Sequence, residues 1–286
     1  MYEEGTLVGG RYAIGRRLGG GGQADVYAAV SSTTGRSVAI KVLQPQADGA
    51  PRPLEDCRRE AIAIGAIRSD HVVEVLDVVE DDPGGPFLVL ELLEGETLLD
   101  RLKRGGPVPL AELHPLVTHL WLGLRDIHQA GVLHRSLKPS NMFLEHRPDG
   151  TIRAKIIGFT LASAPGLESL ATLAECGRSL GTFSFMAPEQ IGKASTIDHR
   201  ADIYACATLI YQALSGELPY EARNILAMVE MKTSTDARRL SDALGDEVET
   251  DLDAFLARGL ARSPEDRFPS AEEALAAWQP LRRKLP

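Results

Sequence analysis

The sequence predicts an α+β fold in two lobes: a small one built on a five-stranded antiparallel sheet with one helix, and a larger, mainly helical one. Three observations predict it. Five short β-type runs separated by turn signals fill most of the first 94 residues. One stretch of helical apolar spacing interrupts them. Beyond Gly95 the apolar residues recur at helical rather than alternating intervals.

The first strand begins at Arg11-Tyr12-Ala13-Ile14 and runs to Leu18. Gly19 to Gly22 follow, and then Gln23-Ala24-Asp25 leads into Val26 to Val30, a second strand. A glycine run by itself reads as a flexible turn. A dinucleotide-binding fingerprint would need a helix next, and a strand follows instead. Thr33-Thr34-Gly35-Arg36 makes a turn into a third strand, Ser37 to Leu43, so the chain opens as a meander. Pro45, Pro51 and Pro53 then break regular structure. Leu54 to Ile67 carries Ile62, Ile64 and Ile67 at helical spacing. Val72 to Val79 and Phe87 to Glu91 are the last two strands, on either side of a turn at Asp81 to Pro86.

In the larger lobe, Leu113 to Gln129 has apolar residues at 113, 116, 117, 120, 121, 124 and 127, one broad helical stripe that Gly131 closes. Asp202 to Tyr211 is apolar nearly all round, which suits a helix in the middle of a lobe. Ser263-Pro264 reads as a cap followed by proline at the first helical position. Ser270-Ala271-Glu272-Glu273 is a capping-box signature for a last helix through Trp278. The expected organisation is an extension at residues 1–10, a small lobe at 11–94 and a large lobe at 95–286.

Bulk composition excludes several functions. At 286 residues, 44% hydrophobic and 25% charged, the chain is an ordinary globular protein. A net charge of −9 argues against a nucleic-acid partner, which needs a basic face. Cys57, Cys176 and Cys206 fit no zinc spacing and suit a reducing compartment. No apolar run approaches the roughly 18–20 residues that span a bilayer, and Met1-Tyr2-Glu3-Glu4 lacks the character of a signal peptide. The expectation is a cytoplasmic protein, or the cytoplasmic domain of a larger one, without membrane insertion by this segment.

Four motifs carry the chemistry: Gly19-Gly20-Gly21-Gly22 before a strand, Val38-Ala39-Ile40-Lys41, His134-Arg135-Ser136-Leu137-Lys138-Pro139-Ser140-Asn141, and Gly181-Thr182-Phe183-Ser184-Phe185-Met186-Ala187-Pro188-Glu189-Gln190. In this order and spacing they resemble the bacterial branch of the Hanks-type serine/threonine protein kinases, over about residues 11 to 281. The resemblance implies a bilobal protein-kinase fold. It implies that Leu18, Gly19, Gly21, Val26, Ala39, Lys41, Leu90, Glu91, Leu93 and Phe143 surround a nucleotide, with Leu90 as gatekeeper and Glu91-Leu92-Leu93 as hinge. Lys41 would contact the α- and β-phosphates and pair with Glu60, Glu55 being the rival acid. Lys138 would offset the charge of the transferring phosphoryl group, and Asn141 would ligate a metal. His134 would pack beneath the site, Asp202 would hold the loop's backbone, and Glu189 would pair with Arg267. Arg135 would face a phosphate on the activation segment, residues 161–182, with Ser163, Ser169, Thr172, Ser179 and Thr182 as acceptors.

Two motifs depart from the family at catalytic positions, beside the mild change of the third loop glycine to Ala24. Ser136 stands where it has the aspartate that accepts the substrate hydroxyl's proton. Gly158-Phe159-Thr160 stands where it has D-F-G, whose aspartate holds Mg²⁺. Lys41, Glu60, Lys138 and Asn141 are retained. Thr160, being β-branched, should hold its segment in one conformation. The expectation is a catalytically impaired module, a pseudokinase with no intact catalytic set and no metal site. It would bind ATP or ADP with little dependence on Mg²⁺ and engage a protein partner, such as an active kinase that phosphorylates its activation segment. Phe143 filling an empty nucleotide pocket is a competing outcome. The alternative is an enzyme: a weak or unconventional ATP-dependent serine/threonine phosphotransferase, or a nucleotidyl transferase. Its metal ligands would be relocated, and Asp25 and Glu145 are the nearest acids.

Overall fold

The computed structural model describes residues 2–20, 24–43, 54–80, 85–159, 180–191, 197–245 and 248–284. Its chain forms two compact units, one of Met1–Arg68 with Val73–Glu94 and one of Ser69–Val72 with Gly95–Pro286.

The first unit is a curled antiparallel sheet. Its strands are β1 (Leu7–Val8), β2 (Tyr12–Gly20), β3 (Ala24–Ser31), β4 (Ser37–Leu43), β5 (Val75–Val79) and β6 (Phe87–Glu91), in the order β1-β2-β3-β4-β6-β5. Five of them were expected. The sixth, β1, comes from residues read as an extension: Leu7 lies opposite Ala13 and Val8 opposite Tyr12. Gly9 and Gly10, both at positive φ, turn the chain between them. A side chain at Gly9 would run into Val79, 2.8 Å from its Cβ position. Alternation along the strands buries Tyr27, Ala29, Val38, Ile40, Phe87 and Val89 in one core on one face of the sheet. Helix α1 (Leu54–Gly65) packs against β5 and β6. Strand β5 starts three residues later than the apolar run suggests, because Val72 pairs with Ile156 in the second unit.

The second unit carries a three-stranded sheet, β7 (Gly95–Thr97), β8 (Met142–His146) and β9 (Ile152–Ile156). Around it lie α2 (Leu98–Gly105), α3 (Leu110–Gln129), α4 (Arg200–Ser215), α5 (Ile225–Ser234), α6 (Thr250–Gly259) and α7 (Ala271–Trp278). Helix α4 is buried along almost its whole length, as its all-round apolar sequence requires. The last helix is capped as its sequence indicates, Ser270 accepting from the Glu273 N–H at 3.1 Å. It is tied to α3 by Trp278, whose Nε1 donates to the His114 carbonyl at 3.1 Å while the His114 ring stacks on the indole. Ser263 behaves otherwise. Its hydroxyl bonds Glu265 instead of capping, and Pro264–Asp266 is a single 3₁₀ turn. Among the described residues no helix is long and apolar enough to cross a membrane.

Candidate active site

Sheet register puts four of the expected nucleotide contacts, Val26, Ala39, Lys41 and Leu90, on one face, while Glu91 lies opposite Val38 on the other. Val26 lies opposite Lys41, Lys41 opposite Leu88, and Ala39 opposite Leu90. Directly opposed residues of antiparallel strands point to the same side. That side is opposite the face bearing Val38, Ile40 and Val89, which sit in the core. A lysine two residues along β4 from a buried alanine thus stands beside an apolar patch of Val26, Ala39 and Leu90. Glu91 holds the end of β6: its N–H donates to the Glu74 carbonyl at 3.1 Å and its carboxylate accepts from the Glu74 N–H at 2.9 Å. Leu93 is half-buried, Leu18 is exposed and Gly19 lies opposite Val26. Gly21, Thr160, Ser163, Ser169, Thr172 and Ser179 lie outside the described residues. Glu60 lies on α1, and its side chain is not among those described.

In the second unit the loop 134–141 is held from below by α4. Asp202 accepts from the His134 N–H at 2.9 Å, the Arg135 N–H at 2.7 Å and His128 Nε2 at 3.0 Å. Burial opposes ionisation of Asp202 most strongly, but the His128 hydrogen bond, the electrostatic influence of the neighbouring His128 and His134 rings and the His134 N–H together hold its carboxyl below the usual range. Arg135 adopts φ 61°, a left-handed conformation that a non-glycine residue keeps only when its surroundings impose it. The two consecutive N–H groups that lead into it, those of His134 and Arg135, are both gripped by Asp202. His134 is fully buried. Its Nδ1 accepts from the Ser136 N–H at 3.3 Å, so its proton sits on Nε2, which donates to the Ile157 carbonyl at 3.0 Å. The ring meets Phe159 edge-on at 4.7 Å. Lys138 Nζ donates to Thr182 Oγ1 at 3.3 Å, which brings the segment after residue 180 to the loop. Phe143, on β8 opposite Lys155 and Thr97, is half-buried. His128 was missed by the sequence reading, because its partner is 74 residues away and nothing local marks it.

Of the two positions expected to ligate a magnesium ion, one is bare and the other, Asn141, keeps its amide oxygen. Gly158, at φ 72°, has no side chain to offer. The place of its missing Cβ is taken by the Asn141 amide, whose oxygen faces it. That amide is oriented by Nδ2, which donates to the Ser136 carbonyl at 2.7 Å and to the Gly158 carbonyl at 3.4 Å. Among the described residues no group of three or more His, Cys, Asp or Glu could hold a metal ion. The two nearest acids both lie beside arginine. Asp25 is buried on β3 and bound by Arg17 of β2, whose Nε donates to it at 3.0 Å. Glu145 faces Arg153 at 3.6 Å and Arg147 at 3.9 Å, without a hydrogen bond to either. It follows that Gly158→Asp should destabilise the protein by about 1–3 kcal/mol. The new side chain would need positive φ and would push Asn141 off the Ser136 carbonyl. Urea unfolding measures this, and an unchanged midpoint would show that Asn141 has room to move aside.

Comparison with known proteins places these features. The protein kinase domain family matches residues 12–278. The chain is similar to the serine/threonine-protein kinase PknH of Mycobacterium bovis, 35% identical over 273 residues, 95% of this chain and 44% of that protein. It is 31% identical over 268 residues to the serine/threonine-protein kinase PknL of Mycobacterium tuberculosis, 94% of this chain and 65% of that protein. The chain thus spans less than half of PknH. In fold it is similar to the PknI kinase domain of M. tuberculosis, with a TM-score of 0.72 at 25% identity over 98% of this chain and 99% of that one. These relatives overturn the expectation of a catalytically impaired, regulatory module, since both PknH and PknL are named as serine/threonine kinases.

Proposed function

The chain belongs to the protein kinase domain family, and on that premise we propose that it is an ATP-dependent phosphotransferase acting on serine or threonine hydroxyls of protein substrates. One observation carries this reading. The loop 134–141 keeps its load-sharing frame, Asp202 gripping the amides of His134 and Arg135 while Lys138 reaches Thr182. ATP is the nucleotide the family implies. Lys41 is expected to hold its phosphates, and Lys138 to offset charge on the phosphoryl group in flight. Ser136 is un-ionised at neutral pH and removes no proton from the acceptor. General-base help, typically worth ~10²–10⁴ in rate, is thus missing at this position. Turnover should fall below the roughly 1–100 s⁻¹ of ordinary protein kinases. The bare Gly158 supports a finer point: nucleotide binding with a reduced requirement for Mg²⁺, since one carboxylate that would hold the ion is missing. A cytoplasmic setting, where ATP is available, goes with the same proposal.

The test is transfer of label from γ-labelled ATP to casein by the purified domain. Transfer should occur, and Lys41→Met should lower it by at least ~10²-fold, the usual loss when one electrostatic stabiliser is removed. ATP should raise the melting temperature in EDTA nearly as much as with Mg²⁺. Absence of transfer, or transfer undiminished in Lys41→Met, would sink the reading.

A further inference from the structure

Lys232 projects from α5 into the interior and is 0% exposed. Its Nζ donates to the Ser184 carbonyl at 2.7 Å and to the Met186 carbonyl at 2.6 Å. The rings of Tyr204 and Tyr220 lie 4.9 and 5.9 Å from the same atom. Two of the three donors therefore hold backbone, and the charge faces aromatic surface. On α5, Ile225, Val229 and Lys232 stand at i, i+4 and i+7, on one face. Ile225 and Val229 pack on Phe183, Met186 and Ile191. A lysine thus ends an apolar stripe, where a leucine would have continued it. The segment it grips is fixed at its two ends by other cations: Thr182 by Lys138 of the loop, and Glu189 by Arg267.

We propose that Lys232 is a positioning residue for the protein acceptor: by gripping the carbonyls of Ser184 and Met186 it sets the backbone that a substrate chain meets beside the loop bearing Lys138. This rests on the kinase reading above. The segment starts at the loop, so its path limits how an acceptor hydroxyl approaches. Apolar packing alone does not fix that path, because Phe183 and Met186 could slide on Ile225 and Val229, whereas two directed bonds to alternate carbonyls cannot slip by one residue. Ser184 and Met186 are both buried, so water does not replace the lysine as donor.

The grip should depend on pH. Burial brings the Lys232 ammonium down to about 7, the Arg267 charge adds to the fall and Glu189 opposes it. The other groups facing it, Tyr204 and Tyr220, are pushed up by burial and stay neutral. The ammonium present below pH 7 donates more strongly than the amine that replaces it above. Protection of the segment should therefore fall as pH rises.

Amide hydrogen exchange of residues 183–187, corrected for intrinsic rates, reads the grip without any need for activity. In the wild type protection should drop between about pH 6 and about pH 8.5. In Lys232→Met it should be about tenfold lower at pH 6 and flat with pH, while Lys232→Arg, which keeps the charge and the donors, should retain most of it. In transfer from ATP to casein, Lys232→Met should raise the KM for casein about tenfold, leave the KM for ATP unchanged, and be rescued in part by Lys232→Arg. Wild-type protection of residues 183–187 at pH 6 no higher than that of an exposed loop overturns the proposal even if Lys232→Met fails to fold. So does an unmoved KM for casein. If the wild type transfers no phosphate at all, the kinase reading falls and the acceptor role with it; if transfer is present and only the KM split is missing, the role of Lys232 alone falls.

Discussion

Replacing Ser136 with aspartate is expected to raise the rate of phosphoryl transfer by roughly 10²–10⁴-fold, the usual worth of a placed general base. The backbone at this position is already held on both sides. Its N–H donates to His134 Nδ1 at 3.3 Å and its carbonyl accepts from Asn141 Nδ2 at 2.7 Å. Changing the side chain leaves these bonds in place, and the side chain is only half-buried, so a carboxylate can stay ionised. In the family an aspartate at this position accepts the acceptor's proton. The gain should appear in kcat with casein and not in the KM for ATP. Two controls separate charge from shape. Ser136→Asn has nearly the volume of aspartate without its charge and should gain nothing. Ser136→Ala should stay within a few-fold of the wild type, because an un-ionised hydroxyl contributes little as a base. An aspartate variant no faster than the wild type would place the slow step elsewhere, in nucleotide seating or release.

The elements that were legible are those whose signal is local or whose partner is implied by a motif. Helical spacing placed α3, and α7 was placed by Ser270, readable as a cap because the bond it makes lies three residues away. Asp202 and Glu189 were readable only through the family pattern, since their partners are 67 and 78 residues distant. Where neither kind of signal exists, reading failed. Leu7–Val8 is too short to show alternation, and only the Gly9-Gly10 pair hints at a hairpin. Asp25 looked like a spare acid because Arg17, eight residues back across the glycine turn, becomes its neighbour only once β2 and β3 pair. Nothing local marks Lys232, whose burial depends on a segment 46 residues earlier. The functional error has a different origin. Two substituted letters were read as loss of an activity, although a missing carboxylate changes how a proton or a metal is handled and leaves intact the frame that presents the loop.

The largest loss of stability is expected from Arg267→Ala, which should cost about 3–5 kcal/mol, the range for leaving one partner of a buried pair unmatched. Arg267 has no exposed side-chain surface. Nη1 donates to Glu189 Oε1 at 2.6 Å and to the Arg200 carbonyl at 3.1 Å, and Nη2 donates to Glu189 Oε2 at 2.8 Å and to the Arg262 carbonyl at 2.9 Å. Nε donates to the Ala261 carbonyl at 2.8 Å. All five donors of the guanidinium are used, and its plane lies 5.0 Å from the Tyr204 ring. A lysine has neither the fork nor enough donors to replace it, so Arg267→Lys should recover little of the loss. The double variant Glu189→Met/Arg267→Met distinguishes two accounts of that loss. If the ion pair alone mattered, two apolar residues of similar size would restore stability close to the wild type's, as happens for some buried pairs. Three backbone carbonyls would still lack donors, each worth about 1–3 kcal/mol when buried, so the double variant should remain well below the wild type. Urea midpoints for the three variants measure this, and full recovery in the double variant would mean that the carbonyls find other donors once the guanidinium is gone.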